Sequence, residues 1–158
     1  MDPIKDWADQ HLKSVAARFS RASGTYEKVS EVQEKGASLI LSLLDFLPAP
    51  GRILDVGCGT GYLTERLKKR FPEAEVYGAD PAEDMVQRAK KRVGLFERSL
   101  SAEGGDLVKG DSAKSRGINW LVSDIFSLQI PKAELIVSNC ALHWISPIER
   151  SFSRLSDL

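Results

Sequence analysis

Three glycines at alternate positions, Gly57, Gly59 and Gly61, follow the apolar segment Ile53-Leu54-Asp55-Val56 and lead into a helix-like pattern. A glycine loop between a strand and a helix lets a ligand reach backbone N–H groups that a Cβ would shield, and the positive end of the helix favours a carboxylate there. The spacing is G-x-G-x-G with Cys58 inside it, not the G-x-G-x-x-G of the dinucleotide fingerprint, and an acid, Asp55, stands two residues before the first glycine. Such a loop also serves as a plain tight turn. Asp80 closes the next apolar segment, Val76-Tyr77-Gly78-Ala79-Asp80, where a carboxylate can accept both hydroxyls of a ribose. With Pro81 behind it, Asp80 also suits a helix N-cap, and its two oxygens allow both roles. Ser123-Asp124-Ile125 closes a third segment, where the carboxylate can accept from an adenine amino group while Ile125 packs on the ring, or Asp124 can simply make a turn.

Positioning these groups requires short strands whose carboxyl ends meet. From Arg52 onward, apolar strands alternate with amphipathic helices, the pattern of a parallel α/β sheet. Strand one is 53–56, strand two 76–80, strand three 118–123 and strand four 135–138. Leu63, Leu67 and Phe71 mark the inner face of the first crossover helix, which Pro72 stops, and Met85, Val86, Ala89 and Val93 that of the second. Ser146-Pro147-Ile148-Glu149 reads as a capping box opening a last helix with Ile148, Phe152 and Leu155 inward. Ahead of the sheet, residues 2–20 suit a helix with Ile4, Trp7, Leu12 and Val15 as its stripe. Residues 26–47 suit another, with Val29, Val32, Leu39, Leu43 and Leu47 at near-helical spacing, ended by Pro48 and Pro50. The division expected is an N-terminal helical segment, 1–50, covering the site, and an α/β core, 51–158. Residues 97–116, rich in Ser, Gly, Asp and Lys, read as a mobile loop.

Composition narrows the partners. Lys plus Arg (22) equal Asp plus Glu (22), so the positive field of a phosphate-backbone binder is missing and nucleic acid is disfavoured. No apolar run is long enough for a membrane span, and the polar start lacks a secretory signal, which points to the cytoplasm. Cys58 and Cys140 have neither metal-ligand nor disulfide-framework spacing and read as free thiols; no metal is expected.

The stretch from Ile53 through Gly61 to Tyr62-Leu63-Thr64 resembles motif I of class I S-adenosylmethionine-dependent methyltransferases. Arg18-Phe19-Ser20-Arg21-Ala22 with Thr25-Tyr26 and Gln33, and Ser138-Asn139-Cys140-Ala141-Leu142-His143-Trp144, resemble segments of one branch, the malonyl-[acyl-carrier protein] O-methyltransferases of biotin synthesis. The resemblance implies a Rossmann-like, mostly parallel sheet of order 3-2-1-4 and S-adenosyl-L-methionine as cofactor. It implies that Asp55, Gly57, Cys58, Gly59 and Gly61 hold the methionine moiety, Asp80 the ribose, Pro81 and Met85 one face of the adenine, and Ser123, Asp124 and Ile125 its edge. Asn139 would then lie near the reacting methyl, and Tyr26 would close the pocket or be an ordinary half-buried core tyrosine. The acceptor implied is a carboxylate, small or carried on acyl-carrier protein. His143 could serve as a general base for a hydroxyl or amine acceptor, or be a packed histidine beside Trp144; a carboxylate needs no base.

In that family the sheet continues beyond the position of Leu155 into three more strands. The fold expected is therefore C-terminally incomplete, with strand four left as an open edge, and a homo-oligomer formed through that edge is expected to cover it.

Overall fold

The computed structural model describes residues 10, 14, 17, 30–102, 117–145 and 148–158, the side chains of residues 30 and 94–102 excepted. Helix α1, Ser30–Leu43, ends in a 3-10 turn, Leu44–Phe46, and strand β1, Arg52–Val56, follows. Then come α2 (Tyr62–Arg70), β2 (Glu75–Asp80), α3 (Glu83–Ala102), β3 (Ile118–Val122), β4 (Leu135–Val137), a 3-10 turn at Leu142–Trp144, and α4 (Ile148–Asp157). The four strands form one parallel sheet in the order β3-β2-β1-β4, which is the order expected.

Period-two alternation along β1 splits the core between two faces. Ile53 turns to α1 and α2 and packs with Ala37, Leu63, Leu67, Phe71 and Val76; Leu54 and Val56 turn the other way, to Ile125, Leu128 and Leu158. The predicted inner residues of the crossover helices are buried, Leu67, Val86 and Ala89 completely, except Val93, which is only partly covered. Truncating a fully buried leucine such as Leu67 to alanine costs about 2–5 kcal/mol, which makes this layer the anchor of α2.

At three places the structure departs from the sequence pattern. The stripe expected on the second helix faces outward: Val32, Leu39, Leu43 and Leu47 are each more than half exposed, and the packed face is Gly36, Ala37 and Leu44, flanked by Ile40 and Leu41. Small residues win there because α1 lies so close to the end of β4 that a Cβ on Gly36 would meet Asn139 Oδ1 at 2.5 Å. In α4, Leu155 packs on the core as expected, but Ile148 and Phe152 are exposed, while Ser151 and, just past the helix, Leu158 are buried. Arg154 turns this helix, donating through Nε and Nη2 to the carbonyls of Ile125 and Leu128, and so meets two acceptors that the chain after β3 leaves open. Finally, α3 continues to Ala102, so residues 97–102, expected in the loop, are helical. The remainder of that loop, residues 103–116, lies outside the described residues, as do Tyr26 and most of the first expected helix, of which Gln10, Ser14 and Ala17 are helical and exposed.

Candidate functional site

The carboxyl edge of the sheet is stitched together by main-chain bonds that extend the ladders into the loops. The N–H groups of Gly57 (2.8 Å) and Cys58 (3.0 Å) both donate to Ala79 O, and Ser123 N donates to Asp80 O at 3.1 Å. Ser138 Oγ donates to Val56 O at 2.8 Å, which ties the end of β4 to the start of the glycine loop. All four strand ends thereby meet around one loop.

That loop turns because Gly57, Gly59 and Gly61 take φ of 71°, 53° and 77°, a region open to glycine and costly for other residues. Their surroundings differ. A Cβ at Gly57 would run into the Ala141 side chain, and one at Gly61 would lie 2.6 Å from Trp120 Cη2, whereas one at Gly59 would meet nothing within 4 Å. Protein packing therefore explains glycine at 57 and 61, while Gly59 borders open space, as a cradle for an approaching ligand requires.

Two acids flank the loop. Asp55, at 1% exposure, accepts a 2.6 Å hydrogen bond from Thr64 Oγ1 on Oδ2. Burial pushes its carboxyl up to about 7 and nearby Asp80 adds to the rise, while the Thr64 hydroxyl opposes it. Asp80 takes Gly59 N on Oδ2 at 2.9 Å and Ala82 N on Oδ1 at 2.8 Å, so one carboxylate holds both the loop and the entry to α3. Burial raises its pKa too, and those two N–H groups counter the effect. Each oxygen keeps lone-pair capacity for a further donor.

Asp55, Gly57, Cys58, Gly59, Asp80, Met85 and Asn139 line one cleft together with Gln33, Thr60, Tyr62, Leu63, Cys140 and Ala141. None of these residues is cationic. Asn139 Nδ2 donates to Gln33 O at 2.8 Å, which pins α1 over this end of the sheet. Cys58 is buried and its thiol is pushed well up, first by burial and then by both acids; Cys140 is exposed, at a left-handed φ of 58°.

The other predicted residues stand outside that lining. Gly61 closes the loop against Trp120, and Pro81 is exposed beside Asp80. Asp124 spends its carboxylate on its own turn, accepting from Phe126 N and Ser127 N on Oδ1 and from Ser127 Oγ on Oδ2, while Ser123 Oγ donates to Asp124 O. Ile125 is in the core at 3% exposure. His143 is exposed and packed on Trp144, ring centroids 4.9 Å apart. Sequence reasoning missed the partner role of Thr64 and the wedge formed by Trp120. Gly78, a glycine in mid-strand, was the available signal of a close approach.

The methyltransferase domain family matches residues 53–158, and the chain belongs to that family. It is 30% identical over 140 residues, 88% of this chain and 46% of the relative, to the malonyl-[acyl-carrier protein] O-methyltransferase of Anoxybacillus flavithermus. To the enzyme of the same name from Neorickettsia risticii it is 33% identical over 135 residues, 84% of this chain and 46% of the relative. The chain thus spans about half the length of these relatives. Among solved structures, the plantazolicin methyltransferase BpumL, in complex with a triazolic desmethylPZN analog and SAH, superposes with a TM-score of 0.61 at 19% identity, covering 96% of this chain and 54% of that one. The fold is therefore that of a Rossmann-like methyltransferase.

Proposed function

We propose that the cleft binds S-adenosyl-L-methionine and that the protein is a methyltransferase acting on a carboxylate oxygen, such as that of a malonyl thioester on acyl-carrier protein. One observation carries the cofactor assignment: the glycine cradle at Gly59 is flanked by two buried acids, Asp55 and Asp80, in a lining without a cation. Such a site attracts a ligand bearing ammonium and sulfonium charge, and it repels the pyrophosphate of a nicotinamide dinucleotide. The acceptor assignment is supported by the names of the relatives at 30% and 33% identity.

In this reading Asp55 and the loop glycines hold the methionine moiety, and Asp80 accepts from the ribose on its remaining lone pairs. Met85 and Pro81 cover one face of the adenine, Ser123, Asp124 and Ile125 border its edge, and Asn139 stands near the transferred methyl. Residues 1–50 cover the site and 51–158 form the binding core; Gln33 on α1 already reaches the cleft lining. Tyr26 contributes to the same cover. When bound, the cofactor supplies an electrophilic methyl group. The chain's task is to hold the acceptor oxygen in line and keep water out. A carboxylate acceptor is ionised near neutral pH, so no base is needed and His143, exposed beside Trp144, is spared that duty. A cytoplasmic location belongs to the same proposal and agrees with two free cysteines.

Calorimetry with S-adenosylhomocysteine and NAD side by side tests the cofactor. We expect S-adenosylhomocysteine alone to bind, and Asp80→Ala to lose about 1–3 kcal/mol of that affinity. Preferential binding of NAD would overturn the assignment. Radiolabelled methyl transfer to malonyl-[acyl-carrier protein] tests the acceptor; binding without transfer would leave a cofactor-binding module only.

A further inference from the structure

Trp120 stands in the middle of β3, in register with Gly78 of β2, and Gly78 is in register with Asp55 of β1. The three form a row across the face of the sheet that carries α2 and α3. A Cβ on Gly78 would lie 2.7 Å from Trp120 Cζ3, and one on Gly61 would lie 2.6 Å from Cη2 of the same ring. One edge of a single indole thus fills the room left by two glycines, one in mid-strand and one at the end of the ligand loop.

The ring's neighbours connect it to both halves of the cleft. Gly61 is the N-cap of α2 at φ 77°, so the indole abuts the turn that aims the loop's N–H groups. The Thr64 methyl would lie 3.1 Å from a Cβ on Gly78, at the same spot as the indole edge, and the Thr64 hydroxyl holds Asp55. Trp120 itself is half-buried and absent from the cleft lining. Removing so large a ring leaves a void into which the loop and Thr64 can relax, and a ligand must then reorder them on binding.

We propose that Trp120 is a positioning residue for the cofactor cleft, wedging the Gly61 turn and the Asp55–Thr64 pair into their binding arrangement from behind. This rests on the reading of the cleft as an S-adenosylmethionine site. Its test compares Trp120→Ala and Trp120→Phe with Leu128→Ala, which opens a void in the core on the opposite face of the sheet. We expect Trp120→Ala to weaken S-adenosylhomocysteine binding by about tenfold or more, Trp120→Phe to restore most of it, and Leu128→Ala to lower the melting temperature while holding affinity within about threefold. Gly78→Ala should weaken binding in the native chain, because its methyl displaces the ring, and cost less in the Trp120→Ala background, where only the Thr64 methyl still crowds it. If Trp120→Ala loses no more affinity than Leu128→Ala, the positioning role is overturned. Failure of the native chain to bind S-adenosylhomocysteine would instead sink the cofactor reading. Amide exchange at Gly59, Gly61 and Glu65 in the ligand-free chain then still judges the wedge: about tenfold faster exchange in Trp120→Ala than in Leu128→Ala supports it, and equal rates overturn it.

Discussion

Thr64 Oγ1 donates to Asp55 Oδ2 across 2.6 Å, joining the first turn of α2 to β1 directly beneath the glycine loop. Thr64 is 0% and Asp55 1% exposed, so this hydroxyl stands in for water that Asp55 has lost. One neutral donor does not replace a full hydration shell, and burial consequently lifts the carboxyl from its ordinary 3.8 to about 7.

The raised pKa fixes the sign of a pH effect. Between about 4 and about 7 the folded chain keeps a proton on Asp55 that the unfolded chain releases, so the contribution of this group to stability falls as pH rises through that window and is lowest above it. Asp55→Asn is neutral throughout, and Thr64 can still donate to its amide oxygen. Its melting temperature should therefore exceed that of the native chain at about pH 8, with the difference shrinking toward about pH 5. Thermal unfolding of both proteins at the two pH values checks this, and a gap independent of pH would refute the assignment.

Gly57 and Gly59 share a left-handed backbone but differ in what lies beyond it, so their alanine variants should separate strain from crowding. Gly59→Ala carries only the conformational cost, about 1–2 kcal/mol, since nothing stands within 4 Å of the new methyl. Gly57→Ala adds a collision with Ala141 and should be the less stable of the two. For ligand affinity the expectation is different: Gly59→Ala, and more strongly Gly59→Val, should weaken S-adenosylhomocysteine binding while the circular-dichroism spectrum stays native. Normal binding by Gly59→Val would move the site elsewhere.

Both cysteines line the cleft, but Cys140 is exposed and Cys58 is buried with its thiol pushed well above its ordinary range. Iodoacetamide at about pH 8 should modify Cys140 and spare Cys58, because the thiolate is the reacting form. Peptide mass spectrometry reads the site directly. S-adenosylhomocysteine at saturating concentration should slow the reaction at Cys140, and preferential labelling of Cys58 would contradict the burial described.

Among the described residues β4 pairs with β1 on one side and with no strand on the other. Its segment Leu135-Ile136-Val137 carries neither lysine nor proline, the usual guards of an exposed edge. Trp144, Ile148 and Phe152 also expose apolar surface. We expect the 158-residue chain to self-associate with rising concentration in light scattering. A constant mass near 17.4 kDa across the micromolar range would show that the edge does not recruit a second copy.

The 158 residues by themselves determined the strands, their parallel arrangement and the glycine loop at their carboxyl ends. These depend on local rules: the period of apolar residues, proline stops, and glycine where φ must be positive. They also determined that Asp55 and Asp80 come together, since both lie near the carboxyl ends of adjacent strands of one parallel sheet. Only the tertiary structure decided which face of each flanking helix is packed. The outward stripe of Val32, Leu39 and Leu43 and the inward Gly36 and Ala37 reverse the simple apolar reading, because close approach to Asn139 demands small side chains more than large apolar ones. It likewise decided that Asp124 is engaged with its own turn, that Thr64 is the partner of Asp55, and that Trp120 occupies the space of Gly61 and Gly78. Those relationships join residues on different elements at distances of a few ångströms, and periodicity along one element carries no information about what stands opposite it.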